Sequence, residues 1–282
     1  MLDLSQREDL AWLATLIADA KSAVPSLQPL IIGALARDLW LCHAHGLAIE
    51  RVTEDVDFAL AVDWPGFSQA RDILVGTGLF EPVRGVAHKL RHRTIGWLDL
   101  IPFGAVERAD GTIAWPPSGD EVMVVLGYAE AHDAATVMAL PNDQHVRVVS
   151  LPMLAILKVL AWKDRHRRTH GKDAVDLALI LRRYLEAGNL DRLCADFAHV
   201  LDERFDFERA GAWLLGRDAR AQLLEHSKRF DRVIGALDGV LIPALDSRSP
   251  QTLALHMNPA MPDDALKLLG AFHRGLLGSE TP

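Results

Sequence analysis

The spacing of apolar residues changes along this chain, and each change marks an element. Leu10, Leu13 and Ile17 recur at helical intervals behind Ser5-Gln-Arg-Glu8, which has capping-box spacing, so the chain is predicted to open with a helix to about Ala23, ended by Pro25. Leu30 to Gly33 reads as a short buried strand, and Ala34 to His45 as the following helix with Gly46 as its stop. Asp55 to Val62 is a second strand, and Pro65 to about Val75 a helix closed by Gly76-Thr-Gly78. Phe80 to Ala87, His88 to Arg93 and Ile95 to Ile101 follow as strands of one sheet, and the Gly- and Pro-rich stretch from Pro102 to Pro141 reads as short strands and loops.

From Leu151 the rhythm is helical, with stripes such as Leu177, Ile180, Leu181 and Tyr184. Breaks at Ser247-Arg-Ser-Pro250 and Asn258-Pro-Ala-Met-Pro262 precede a last helix, and Gly278 to Pro282 reads as a loose tail. The expected architecture is α+β: a mixed sheet flanked by helices over residues 1–150, then a helical domain over 151–282.

Composition narrows the function. With 282 residues, 50% hydrophobic and 24% charged, the chain can bury a substantial core. No apolar run reaches the roughly 18 residues of a membrane helix, and the charged start Met1-Leu-Asp-Leu-Ser-Gln-Arg-Glu-Asp9 is not an export signal. Cys42 and Cys194 are too few for a disulfide framework, which fits a reducing cytoplasm. A net charge of −8 excludes a general nucleic-acid coat. Two local clusters differ: Arg84 to Arg93 holds four Lys/Arg and two His with no acid, and Lys163 to Lys172 holds five Lys/Arg and two His against one Asp. Each is either a phosphate-facing surface or a solvated charge run.

The chemistry centres on Asp55-Val56-Asp57. In a strand, side chains two apart share a face, so two carboxylates point one way while Val56 and Phe58 point into the opposite layer. Two anions on one face favour a divalent cation, and the glycine turn at Gly33 lets backbone approach phosphates. Asp99 lies alone among apolar residues in Ile95-Gly-Trp-Leu-Asp-Leu-Ile-Pro-Phe103 and needs a partner. That partner is either an Arg on a neighbouring strand or a metal shared with Asp55 and Asp57. Lys158 is the lone charge in Met153-Leu-Ala-Ile-Leu-Lys-Val-Leu-Ala-Trp162, so it either snorkels to the surface or faces a cleft. Asp173 and Asp176 share a helix face with Lys172 nearby, as an ion-pair set or as plain N-terminal helix acids. His166 and His170 have zinc-helix spacing without the accompanying Glu or a third ligand. Neither a G-x-G-x-x-G run nor a Walker motif is present.

From about Leu30 to Tyr184 the chain resembles the nucleotidyltransferases of the AbiEii/AbiGii toxin family, within the DNA polymerase β-like superfamily. The resemblance rests on Gly33 opening a helix, Thr53-Glu-Asp55-Val-Asp57, the strand with Asp99, Lys158, and Lys172-Asp173-x-x-Asp176. It implies a nucleotidyltransferase-fold sheet and a helical C-terminal half. It also implies transfer of a nucleoside monophosphate from an NTP to an acceptor hydroxyl, in a toxin-antitoxin or phage-defence setting with a cognate antitoxin, and tRNA as one acceptor. Asp55, Asp57 and Asp99 would bind Mg²⁺. Gly33, Ala34, Arg37, Thr53 and Lys158 would bind the nucleotide, with Asp173 or Asp176 orienting Lys158. One departure stands out: where the family has Gly-Gly or Gly-Ser, this chain has Gly33-Ala34. Gly-x-x-x-Arg37-Asp38 also resembles the corresponding segment of CCA-adding enzymes and poly(A) polymerases. Antibiotic-type transfer to a small molecule and an inactive regulatory member are the other expectations.

Overall fold

Leu30, Ile31 and Ile32 are all buried, and a strand without a solvent face belongs inside a sheet. In the computed structural model, which describes residues 1–48, 53, 55–226, 229–242 and 249–282, that strand is central to an eight-stranded mixed sheet. Its spatial order is β1 (Leu2–Asp3), β9 (Thr136–Leu140), β10 (Gln144–Val148), β2 (Leu30–Ile32), β3 (Asp55–Ala61), β6 (Trp97–Phe103), β5 (Lys89–His92) and β4 (Phe80–Pro82). β2 runs antiparallel to β3, and β3 parallel to β6. A separate hairpin pairs β7 (Thr112–Ala114) with β8 (Val122–Val124). Helices α1 (Ala11–Ala23), α2 (Gly33–Asp38), α3 (Trp64–Gly76) and α4 (Tyr128–Asp133) accompany the sheet, with α1 against β10 and α3.

Several local expectations change. The Ser5–Glu8 capping box does not form, because Leu2–Asp3 is drawn out as an edge strand and the Ser5 N–H donates to Asp3 instead, at 2.9 Å. The helix after β2 starts at Gly33 and widens into a π-helical segment over Leu39–Ala44. The strand expected over Phe80 to Ala87 stops at Pro82, and the chain turns through Gly85 in the left-handed region. Part of the expected break at Ser247 to Pro250 lies outside the described residues.

The chain divides into two compact units, Met1–Ser150 and Leu151–Pro282. The second holds α5 (Leu151–Thr169), α6 (Lys172–Arg183), α7 (Leu190–Asp196), α8 (Phe207–His226), α9 (Phe230–Leu241), α10 (Ser249–Met257) and α11 (Pro262–Leu277). No described helix is long and apolar enough to cross a membrane. Its tightest packing is α8 on α11, where glycines let the backbones touch. A Cβ on Gly216 would lie 2.1 Å from the Phe272 carbonyl oxygen, and one on Gly275 2.1 Å from that of Trp213.

Backbone cannot swing aside as a side chain can, so Gly275→Ala should lower the urea midpoint of unfolding, by about 1–3 kcal/mol in stability. Gly270→Ala on the same helix meets only the Arg274 guanidinium, at 3.4 Å, and should instead be neutral or gain up to about 1 kcal/mol. Equal midpoints for the two variants would rule out the close crossing.

Candidate active site

The pairing of three strands places the carboxylates. Asp57 on β3 stands directly opposite Asp99 on β6, and Asp55 opposite Trp97. Val56, Phe58, Leu98 and Leu100 are buried beneath, so Asp55, Asp57 and Asp99 share the other face. On the other side of β3, Ile32 is opposite Asp57, which brings the next residue, Gly33, onto the aspartate. A Cβ on Gly33 would sit 2.0 Å from Asp57 Oδ2, and the residue has φ +73°, so steric and backbone demands both select glycine.

Asp99 has the partner its apolar setting demanded, and it is a lysine rather than an arginine. Lys89, its register partner on β5, brings Nζ to 3.4 Å from Asp99 Oδ1 and 3.5 Å from Oδ2. Asp99 Oδ1 is nonetheless buried with no hydrogen bond of good geometry. Burial pushes the Asp99 carboxyl up; Lys89 and then His88 oppose that rise, and Asp55 adds slightly to it. Three aspartates on one face, one with an orphaned oxygen, suit a hard divalent cation by donor chemistry. Among the described residues, however, no three His, Cys, Asp or Glu side chains are gathered closely enough to hold a metal. The aspartates therefore form a shared acidic face, not a closed coordination sphere. The same holds for His166, whose ring stacks on Trp162.

The nucleotide-binding expectations divide. Gly33 and Ala34 are half-buried at the start of α2. Arg37 is 3% exposed, and its Nε donates to Asp38 Oδ1 at 2.7 Å. Asp38 in turn accepts from the Thr53 N–H at 3.4 Å, and Thr53 Oγ1 accepts from the Asp55 N–H at 3.2 Å. Arg37, Asp38 and Thr53 thus tie α2 to the first residue of β3.

In the helical unit, Lys158 does not snorkel. It is buried, with Nζ 3.2 Å from Asp173 Oδ1 and 2.5 Å from Asp176 Oδ2. Arg165 Nε adds a contact to Asp173 at 2.9 Å, and these bonds hold the Asp173 carboxyl below the usual range against the opposing effect of burial. Lys158, Arg165, Asp173 and Asp176 thus form one ion-paired cluster. The first basic cluster also separates: His92 is buried against Asp19 at 3.1 Å and Arg93 lies 3.4 Å from Glu81, while Arg84 and Arg91 stay exposed. Sequence reasoning did not single out Lys89 and Trp97; the signal it had was the alternation of Lys89 and Arg91 facing the Trp97–Asp99 pair, legible only once β5 and β6 are paired.

A cavity of about 630 Å³ in the first unit lies elsewhere. It is lined by Leu60 and Ala61 at the far end of β3 with Ile73, His132 and Arg147, about 20 Å of strand from Asp55.

The model of a family described as the AbiEii toxin nucleotidyl transferases of a type IV toxin-antitoxin system matches residues 32–246. No curated protein matches the chain. Two crystal structures from Helicobacter pylori match over most of their length. One, a candidate nucleotidyltransferase, has 14% identity and a TM-score of 0.36 over 96% of this chain and 97% of its own. The other, JHP933, has 14% identity and a TM-score of 0.34 over 96% and 94%. Likeness at that level carries no functional information.

Two stability predictions follow from the charges. Because the folded state holds the Asp99 proton more tightly than the unfolded chain, ionised Asp99 costs stability above its raised pKa, and the cost vanishes as pH falls below the ordinary aspartate value near about 3.9. Asp99→Asn, melted with chelator present, should therefore exceed the wild type in Tm at pH 7, with the difference closing toward pH 3.5; a lower Tm at pH 7 would contradict this. Lys158→Met removes the ammonium that two buried carboxylates share, leaving Asp173 to Arg165, and should cost about 3–5 kcal/mol by urea denaturation. Adding Asp176→Asn removes the carboxylate that Lys158 meets at 2.5 Å and should recover more than half of that loss.

Proposed function

This chain belongs to the AbiEii family of nucleotidyl transferase toxins of type IV toxin-antitoxin systems, and we propose that it moves a nucleoside monophosphate from an NTP to an acceptor hydroxyl of RNA, tRNA included. In this reading it is the toxin component, acts in the cytoplasm, and is countered by a cognate antitoxin protein. The observation that carries the proposal is the register of Asp57 opposite Asp99, with Gly33 backbone pressed against Asp57.

Asp55, Asp57 and Asp99 would hold Mg²⁺ once their carboxylates drew together around it and the nucleotide phosphates, and it would supply neutralisation of the phosphates and polarisation of the reacting oxygens. Backbone N–H groups of Gly33 and Ala34, at the start of a helix, would donate to the phosphates. They do so without the hydroxyl that Gly-Ser would supply. Asp99, made more basic by burial, would take the proton as the acceptor oxygen bonds to the α-phosphorus. The bond to the bridging oxygen breaks, and pyrophosphate leaves with that electron pair. Thr53, with Arg37 and Asp38 behind it, would hold Asp55 at the mouth of this face. Lys158, held by Asp173 and Asp176 within the helical unit, keeps the nucleotide-binding role that the family resemblance implies. Lys89 beside Asp99 and exposed Arg91 support an anionic acceptor over a cationic small molecule.

The test incubates the protein with each labelled NTP, Mg²⁺ and total tRNA beside Asp57→Ala. Transfer should fall about a hundredfold or more in the variant. Label on no acceptor, or equal labelling by Asp57→Ala, would sink the proposal.

A further inference from the structure

Trp97 is 37% exposed, although a ring of that size usually gains by burial. It stands on the acidic face, opposite Asp55 on one side and Arg91 on the other, and two residues along its own strand from Asp99. Two cations from β5 reach it: Lys89 Nζ lies 5.4 Å and Arg91 Cζ 5.7 Å from the ring centroid. Lys89 spans both features, since it also meets Asp99. Arg91 is exposed and has no acidic partner among the described residues. An open indole thus lies between the carboxylates on β3 and β6 and two guanidinium or ammonium groups on β5.

Each part selects the same ligand chemistry. A flat aromatic heterocycle stacks on an indole face whatever its sequence identity, and a phosphate joined to it pairs with a cation a few ångströms away. A cationic ligand would be repelled by Lys89 and Arg91, and an apolar one would leave both without a role. We infer that Trp97, Lys89 and Arg91 form a stacking subsite for an unpaired nucleobase and its attached phosphate, beside the Asp57–Asp99 pair. The inference rests on the nucleotidyl-transfer reading and names the group that the same face recognises. The base belongs either to the free nucleotide or to the end of a single strand.

Binding without turnover separates these sources and tests the subsite apart from the reaction. Fluorescence anisotropy would follow a labelled NTP, a labelled ten-nucleotide single-stranded RNA and its duplex, each with the full chain, Trp97→Ala, Trp97→Phe and Arg91→Gln. Trp97→Ala should weaken binding of the nucleotide or of the single strand by about tenfold or more. Trp97→Phe should keep most of the affinity, and the duplex should bind more weakly than the single strand. The probe that loses affinity identifies the source of the base. Unchanged affinity of Trp97→Ala for both probes, equal damage from Trp97→Phe, or no binding by the wild type would overturn the subsite. Unaltered melting of each variant excludes misfolding. Binding without transfer would refute the reaction and keep the subsite; transfer with Trp97→Ala binding normally would do the reverse.

Discussion

The approach of Gly33 to Asp57 sets the geometry on which the first unit depends. The space that a Cβ would fill at Gly33 is already taken by an Asp57 carboxylate oxygen, 2.0 Å from the ideal position. Any other residue would separate β2 from β3 or turn the carboxylate away. Because β2 pairs with β3 and β3 with β6, that single contact also determines where the start of α2 meets the Asp57–Asp99 pair. Sheet register moves in whole steps, and a one-residue slip of β3 would send Asp55 and Asp57 into the apolar layer while Asp99 stayed on the other face.

The chain answers two lone charges in apolar surroundings differently. Lys158 is fully matched: two aspartates meet it, and Arg165 balances the second. Asp99 is matched only in part, since Lys89 stands beyond 3.3 Å from both carboxylate oxygens and one of them lacks a good donor. The first arrangement stabilises. The second leaves a carboxylate raised in pKa by burial, which is the state that the proposed proton transfer would use.

Particular residues show how far the sequence could be read. The alternation Asp55-Val56-Asp57-Phe58 placed two carboxylates on one face, and Leu30-Ile31-Ile32 announced a buried strand, because these signals lie within a few residues of each other. Arg37 shows the limit: its contact with its neighbour Asp38, and the burial of both, depend on packing around α2 that no local pattern records. The capping box failed for a similar reason, since pairing of Leu2–Asp3 with β9 is made across more than 130 residues. Lys89 and Trp97 drew no attention as a pair because they flank a turn, and only the antiparallel pairing of β5 with β6 brings them to one face.

By itself the sequence determined the class of fold and the change from sheet to helices near Ser150. Periodicity and composition act over a turn of helix or a few residues of strand, so they survive without knowledge of neighbours. Tertiary structure alone decided which charges meet: Lys89 with Asp99, Lys158 with Asp173 and Asp176, Asp57 over Gly33. Those choices depend on register and packing between segments distant in the chain, where the free energy of one pairing over another is shared among many contacts and written in none of them singly.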